Sequence, residues 1–186
     1  MKTLVVYYSF THNNEMLAKA IQKRLGCDIL RIEEIKKRTG FTILLDLIFN
    51  RKPKIRTADL DISSFDQCIF VAPIWAGKIA SPLKTFLRQE KYHINHYSFL
   101  TICGGYPGQK DKLLKNLTRI LEQEPGRIGE LWVNDLLPKE KRNTIKYTSG
   151  YRIDEDDLIS LDSKINGFLD GLEGSYSLKH PAMESV

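Results

Sequence analysis

The order of apolar runs along this 186-residue chain predicts an α/β fold: a doubly wound three-layer sandwich around a five-stranded parallel sheet. Two observations carry that expectation. Short continuous apolar runs alternate with longer stretches in which apolar residues recur on one side, the pattern of βαβ units around a sheet covered on both faces. Loops rich in hydroxyl, amide or glycine residues follow the first, third and fourth runs, at the edge where open parallel sheets bind ligands.

The strands are expected at residues 3–8, 28–32, 67–72, 97–103 and 129–133. Met16, Leu17, Ala20 and Ile21 mark one face of a first helix, and Leu113, Leu114, Leu117 and Leu121 one face of a later one. Leu158, Leu161, Ile165 and Leu169 mark a closing helix. Residues 35–66 are too long for a simple connection. Their Ile43, Leu44, Leu47 and Ile48 suggest a short helix leading into a basic run from Arg51 to Arg56. Residues 136–152 are polar and read as surface. The reading places one domain over residues 1–173 and a loose, polar tail over 174–186.

Composition narrows the function. There are 28 Lys and Arg against 23 Asp and Glu, a net charge of +5, which favours acidic partners or anionic ligands. The cations fall in short clusters at 36–38, 51–56 and 139–142 with few interleaved aromatics, which reads as a solvated face and argues against nucleic acid. No apolar stretch approaches the ~20 residues needed to span a bilayer, so no membrane insertion is expected and the cytoplasm is the default location. Cys27, Cys68 and Cys103 are far apart, and the four histidines show no metal-ligand spacing, so neither a disulfide framework nor a metal site is expected.

Three loops could carry chemistry. Ser9, Phe10, Thr11, His12, Asn13 and Asn14 precede the first helix; such a loop offers unpaired N–H groups and the positive end of a helix dipole to a phosphate, although the same residues would also serve as plain helix caps. Pro73, Ile74, Trp75, Ala76 and Gly77 follow the third strand, with Ser81 suited to the next N-cap and Pro82 to the first helical position. Trp75 there could cover a planar ligand or simply pack on its own loop. Cys103, Gly104, Gly105 and Tyr106 close the fourth strand, where glycine permits close approach to a ligand or merely a tight turn.

Taken together these segments resemble the flavodoxin family. Residues 8–14 are similar to its phosphate loop, commonly Ser-x-Thr-Gly-Asn-Thr; residues 73–77, followed by Ser81, Pro82, Leu83, Lys84, Thr85, Phe86 and Leu87, are similar to its Pro-x-Trp-x-Gly loop; Gly104 and Gly105 are similar to its third flavin loop. The resemblance covers most of the chain to about residue 135. It implies a flavodoxin-like sheet order of 2-1-3-4-5 and flavin mononucleotide (FMN) as cofactor. On that resemblance Ser9, Thr11, His12, Asn13 and Asn14 would hold the phosphate. Pro73, Ile74, Trp75, Ala76 and Gly77 would flank the ring and ribityl chain, with Cys103, Gly104, Gly105 and Tyr106 beside its pyrimidine side. His12 stands where glycine is usual and Asn14 where threonine is usual. A side chain at position 12 would then sit on left-handed backbone, a region His tolerates better than most residues.

The function expected from this is electron transfer or an FMN-dependent oxidoreductase, linked to NAD(P)H or quinone if an enzyme, with a redox partner protein or a small-molecule donor and acceptor. A homodimer is compatible with it. No triad, carboxylate pair or activated cysteine stands out, so no catalytic residue is assigned. The alternatives are a module of the same fold that has lost its flavin, and a basic-surface binder of nucleic acid or another anion.

Overall fold

The computed structural model describes residues 1–36, 38–56, 60–105 and 108–179. The chain runs β1 (Thr3–Tyr7), α1 (Asn13–Leu25), β2 (Asp28–Arg31), α2 (Gly40–Phe49), β3 (Gln67–Val71), β4 (Ile74–Trp75), β5 (Lys78–Ile79), α3 (Ser81–Gln89), β6 (Tyr97–Cys103), α4 (Gln109–Leu121), β7 (Ile128–Trp132), α5 (Val133–Leu136), α6 (Ile145–Gly150), α7 (Glu155–Ser160) and α8 (Asp162–Lys179). Five of the strands form one parallel sheet in the order β2-β1-β3-β6-β7, the 2-1-3-4-5 order when the sheet strands alone are counted.

Burial on both faces explains why the sheet strands read as unbroken apolar runs. Along β1, Leu4 and Val6 face a cluster completed by Leu83 and Phe86 of α3 and Leu113 and Leu117 of α4. Val5 and Tyr7 alternate onto the opposite face, against Leu17 and Ile21 of α1 and Ile165 and Phe168 of α8. A one-residue slip of β1 would exchange these two sets, so the pairings of Val5 with Ile29 and Ile69 are strongly specified. α1 and α3 lie on opposite faces, so the chain reverses between β1 and β3 and leaves a crevice at their carboxyl ends.

Local differences from the sequence reading have physical reasons. Residues 73–80 are not a plain loop: β4 and β5 pair as a two-residue hairpin, with Ala76 at φ 48° and Gly77 at φ 73°. Positive φ at both turn positions matches the twist of the flanking strands. α3 begins at Ser81, so Ala80 occupies the cap and Pro82 the second helical position, one residue off the expected arrangement. The closing helix is divided at Leu161 into α7 and α8, and α8 takes in residues 174–179 of the expected tail; residues 180–186 lie outside the described residues. No helix among the described residues is long and apolar enough to cross a membrane.

The insertion departs furthest. α2 is present, but it is turned inside out: Asp46 is buried while Phe41, Leu44, Ile48 and Phe49 are exposed. The cause is Arg38, expected on a solvated face and found with a side chain only 5% exposed. Its guanidinium donates to Glu34 (Nε to Oε2, 2.7 Å) and to Asp46 (Nη1 to Oδ2, 2.8 Å), pulling both carboxylates inward. A buried guanidinium has to be paired, and losing one member of such a group costs about 3–5 kcal/mol.

Gly129 on β7 is required by close approach: a Cβ there would lie 2.4 Å from Leu100 Cδ1 and 2.8 Å from Phe168 Cδ2. Gly129→Ala should therefore lower the unfolding free energy by about 1–3 kcal/mol through overpacking, read from urea melts, with retained far-UV dichroism. A change within error would show that the α8 contact yields freely.

Candidate functional site

The three loops expected to act together do open at the same edge, after β1, β3 and β6. The first two touch. Tyr8 and Phe10 each meet Trp75 edge-on, at ring-centroid distances of 6.0 and 6.4 Å and interplanar angles of 89° and 90°. Such perpendicular contacts satisfy the ring quadrupoles and hold Trp75 in place. The Arg38 guanidinium lies 5.3 Å from the Trp75 centroid, so the buried ion pairs of the insertion brace the same ring. Tyr8 completes the link by donating its hydroxyl to Glu34 at 2.9 Å.

In the first loop, Tyr8 N–H is still part of the sheet, donating to Val71. The backbone N–H groups of residues 9–15 have no protein acceptor among the described residues, and the first helical bond is that from Met16 to His12. Ser9 Oγ is buried with no hydrogen-bond partner. The Thr11 hydroxyl likewise bonds to none of the described residues. These unpaired donors at a helix N-terminus are the requirements of an anion site, and orphaned buried donors are otherwise costly.

The side chains of Asn13 and Asn14 are taken up by the protein itself. The Asn14 carboxamide is 2% exposed and pairs with Ile102 of β6 in both directions: Nδ2 donates to the carbonyl (3.1 Å) and Oδ1 accepts from the N–H (3.0 Å). The Asn13 carboxamide donates to the Tyr151 carbonyl (3.0 Å) and accepts from Ile153 N–H (3.3 Å). What these two residues leave to a ligand is their backbone N–H.

His12 adopts the left-handed backbone its position suggested, with φ 69° and ψ −17°. Its ring is exposed and meets Glu15 at 3.1 Å. Glu15 also pairs with Lys19 at 2.7 Å; that contact first, and His12 after it, hold the carboxyl below its ordinary range.

Of the third loop, Gly104 and Gly105 are described, whereas Tyr106 lies outside the described residues. Gly105 has φ 86°, and a Cβ there would lie 2.7 Å from Trp132, which packs directly on it. Asn134 Nδ2 holds the Gly105 carbonyl at 2.8 Å. Cys103 is buried, accepting from Gln109 Nε2 at 3.3 Å, and burial, reinforced by Glu130, pushes its thiol up to about 12. Burial of this kind favours the protonated thiol over the thiolate. Phe10, Arg38, Trp132 and Asn134 belong to this site and went unassigned in the sequence: the aromatics at 10 and 132 sit at strand ends and were visible, but nothing in the pattern separates buried Arg38 from its exposed neighbours.

No protein-family model and no curated protein matches the sequence. Solved structures do match. A flavoprotein from Lactobacillus acidophilus, in complex with FMN, superposes with a TM-score of 0.61 at 18% identity, over 69% of this chain and 92% of that one. A Bacteroides eggerthii protein gives 0.64 at 17% identity, over 91% and 96% of the two chains. The chain has the flavodoxin-like fold. A flavodoxin, WrbA-like protein from Agrobacterium tumefaciens extends the likeness over 96% of this chain and 98% of its own, with a TM-score of 0.51 at 16% identity.

His12→Gly should raise stability by about 0.5–1 kcal/mol, because relief of left-handed strain outweighs the greater unfolded-chain entropy of glycine and the loss of an exposed ring contact. Equilibrium urea unfolding measures it. A loss of stability of that size would mean that the contact with Glu15 outweighs the backbone cost.

Proposed function

We propose that this protein binds FMN in the crevice between β1 and β3 and serves as a flavin-dependent redox protein, an electron carrier or an oxidoreductase. The observation that carries this reading is the set of unpaired N–H groups at residues 9–15 around the orphaned Ser9 hydroxyl, directly beside the braced ring of Trp75. The FMN-bound L. acidophilus structure shares the fold and supports the assignment.

In this reading Ser9, Thr11 and the backbone of residues 10–14 hold the phosphate, without needing a lysine. Trp75, Phe10 and Tyr8 form an apolar wall that shields one side of the ring from water. Gly104 and Gly105 let backbone approach its other end, with Trp132 closing the space behind Gly105. The flavin supplies the redox chemistry, and the protein tunes it through stacking, hydrogen bonds and nearby charge. The described loops present no activated thiol. Donor and acceptor, protein or small molecule, would be selected by the surrounding segments, including the insertion joined to Trp75 through Arg38.

Ser9→Ala with Thr11→Ala should weaken FMN at least about tenfold while leaving riboflavin, which lacks the phosphate, nearly unchanged. Equal weakening of both would remove the phosphate from this loop. Bound flavin should also lose fluorescence and regain it in Trp75→Ala; a bound flavin as bright as the free molecule would separate the ring from Trp75.

A further inference from the structure

The insertion between β2 and β3 lines an open cavity of about 350 Å3. Its walls carry five cations, Lys36, Arg38, Arg51, Lys52 and Lys54, against two carboxylates, Glu34 and Asp46, a balance of +3 (five minus two). The carboxylates are already engaged, since both are bound to the buried Arg38. Lys36, Arg51, Lys52 and Lys54 have no carboxylate partner among the described residues, whereas the next cation along the chain, Arg56, pairs with Glu33 at 3.4 Å.

This grouping is built by the backbone. The Ile35 N–H donates to Lys54 O (3.1 Å), the Arg56 N–H to Glu33 O (2.9 Å), and Glu34 and Ile55 form an antiparallel bridge. The two segments are thereby stapled side by side, and cations 15 to 18 positions apart in sequence are held around one space. Four like charges brought together without counter-charge repel one another, and a multivalent anion relieves that repulsion. A phosphate or pyrophosphate offers several acceptor oxygens at once, with Arg51 able to grip two of them. The volume is within the range of small-molecule sites.

We propose that this cavity binds a phosphorylated small molecule, its phosphate or pyrophosphate group held among Lys36, Arg51, Lys52 and Lys54. The site is separate from the one at residues 9–15, which uses backbone N–H groups and no cation. The two share a wall: Glu34 accepts from Tyr8, and Arg38 lies over Trp75. A ligand in the cavity therefore sits next to the loop proposed to cover the flavin, where a phosphorylated donor or substrate would be anchored.

The test is calorimetric titration of pyrophosphate, at physiological ionic strength, into the wild type and three sets of variants. Binding should weaken at least about tenfold in the combined Lys36→Ala, Arg51→Ala, Lys52→Ala, Lys54→Ala protein, and likewise in an Arg51→Gln, Lys52→Gln protein that keeps most of each stem. It should persist in Ser9→Ala, Thr11→Ala, and in Lys139→Ala, Lys141→Ala, which removes equally exposed cations elsewhere. Loss in the Ser9, Thr11 variant with retention in the cation variants would assign the anion to the first loop and overturn the proposal. Equal weakening in the Lys139, Lys141 variant would reduce it to diffuse surface charge, and so would the absence of any binding at millimolar pyrophosphate. None of these readouts requires that FMN be bound, so the cavity and the flavin site can fail separately.

Discussion

The carboxamide of Asn14 forms both hydrogen bonds of a peptide group with Ile102 and does so almost entirely out of water. Its helix follows β1, yet its partner is on β6, with β3 between them. The start of α1 is thus fastened across the end of the sheet. Unmaking this pair would strand a buried N–H and a buried carbonyl, each costing about 1–3 kcal/mol. Asn13 acts in the same way on the other side, binding the backbone at Tyr151 and Ile153. With both side chains spent on anchoring, the N-terminal N–H groups of α1 are held in place without protein acceptors. In the proposed function this arrangement serves as a preorganised anion site, its ordering cost met in folding rather than on binding.

A second constraint is the burial of Arg38. Because the guanidinium is nearly inaccessible, Glu34 and Asp46 are drawn in beneath it, and α2 turns its one acidic side chain inward and Phe41, Leu44, Ile48 and Phe49 outward. The same guanidinium covers Trp75. The insertion is therefore mechanically part of the site rather than an appendage, and a charge network fixes the position of an aromatic wall. Removing Arg38 would leave two buried carboxylates without a counter-charge, which ties the order of the insertion to that of the hairpin holding Trp75.

Much of this was legible in the sequence. The five sheet strands announce themselves because a strand covered on both faces needs apolar side chains at successive positions, as Leu4, Val5 and Val6 or Ile69, Phe70 and Val71 show. The loop at residues 9–14 and the segment around Trp75 stood out because hydroxyl, amide and aromatic residues are conspicuous at strand ends. What was hidden depends on long-range partners. Asn13 and Asn14 have the composition of ligand groups, and only the fold shows that Ile102, Tyr151 and Ile153 claim their side chains. Arg38 reads like its neighbours in a basic cluster until Asp46 is folded against it. The hairpin at residues 74–79 carries no Asn-Gly signal because Ala, not Asn, stands at the first left-handed turn position, residue 76.

In the proposed function the unpaired N–H groups before and within the first turn of α1 receive the FMN phosphate. Amide 1H–15N correlation spectra, recorded while FMN and, separately, riboflavin are added, test it at the atoms concerned. FMN should move the amide resonances of residues 9–14 strongly downfield, as new hydrogen bonds to a dianion form, and riboflavin should leave them nearly in place while perturbing Trp75. Identical shifts from the two ligands, or FMN shifts confined to residues 35–54, would contradict it.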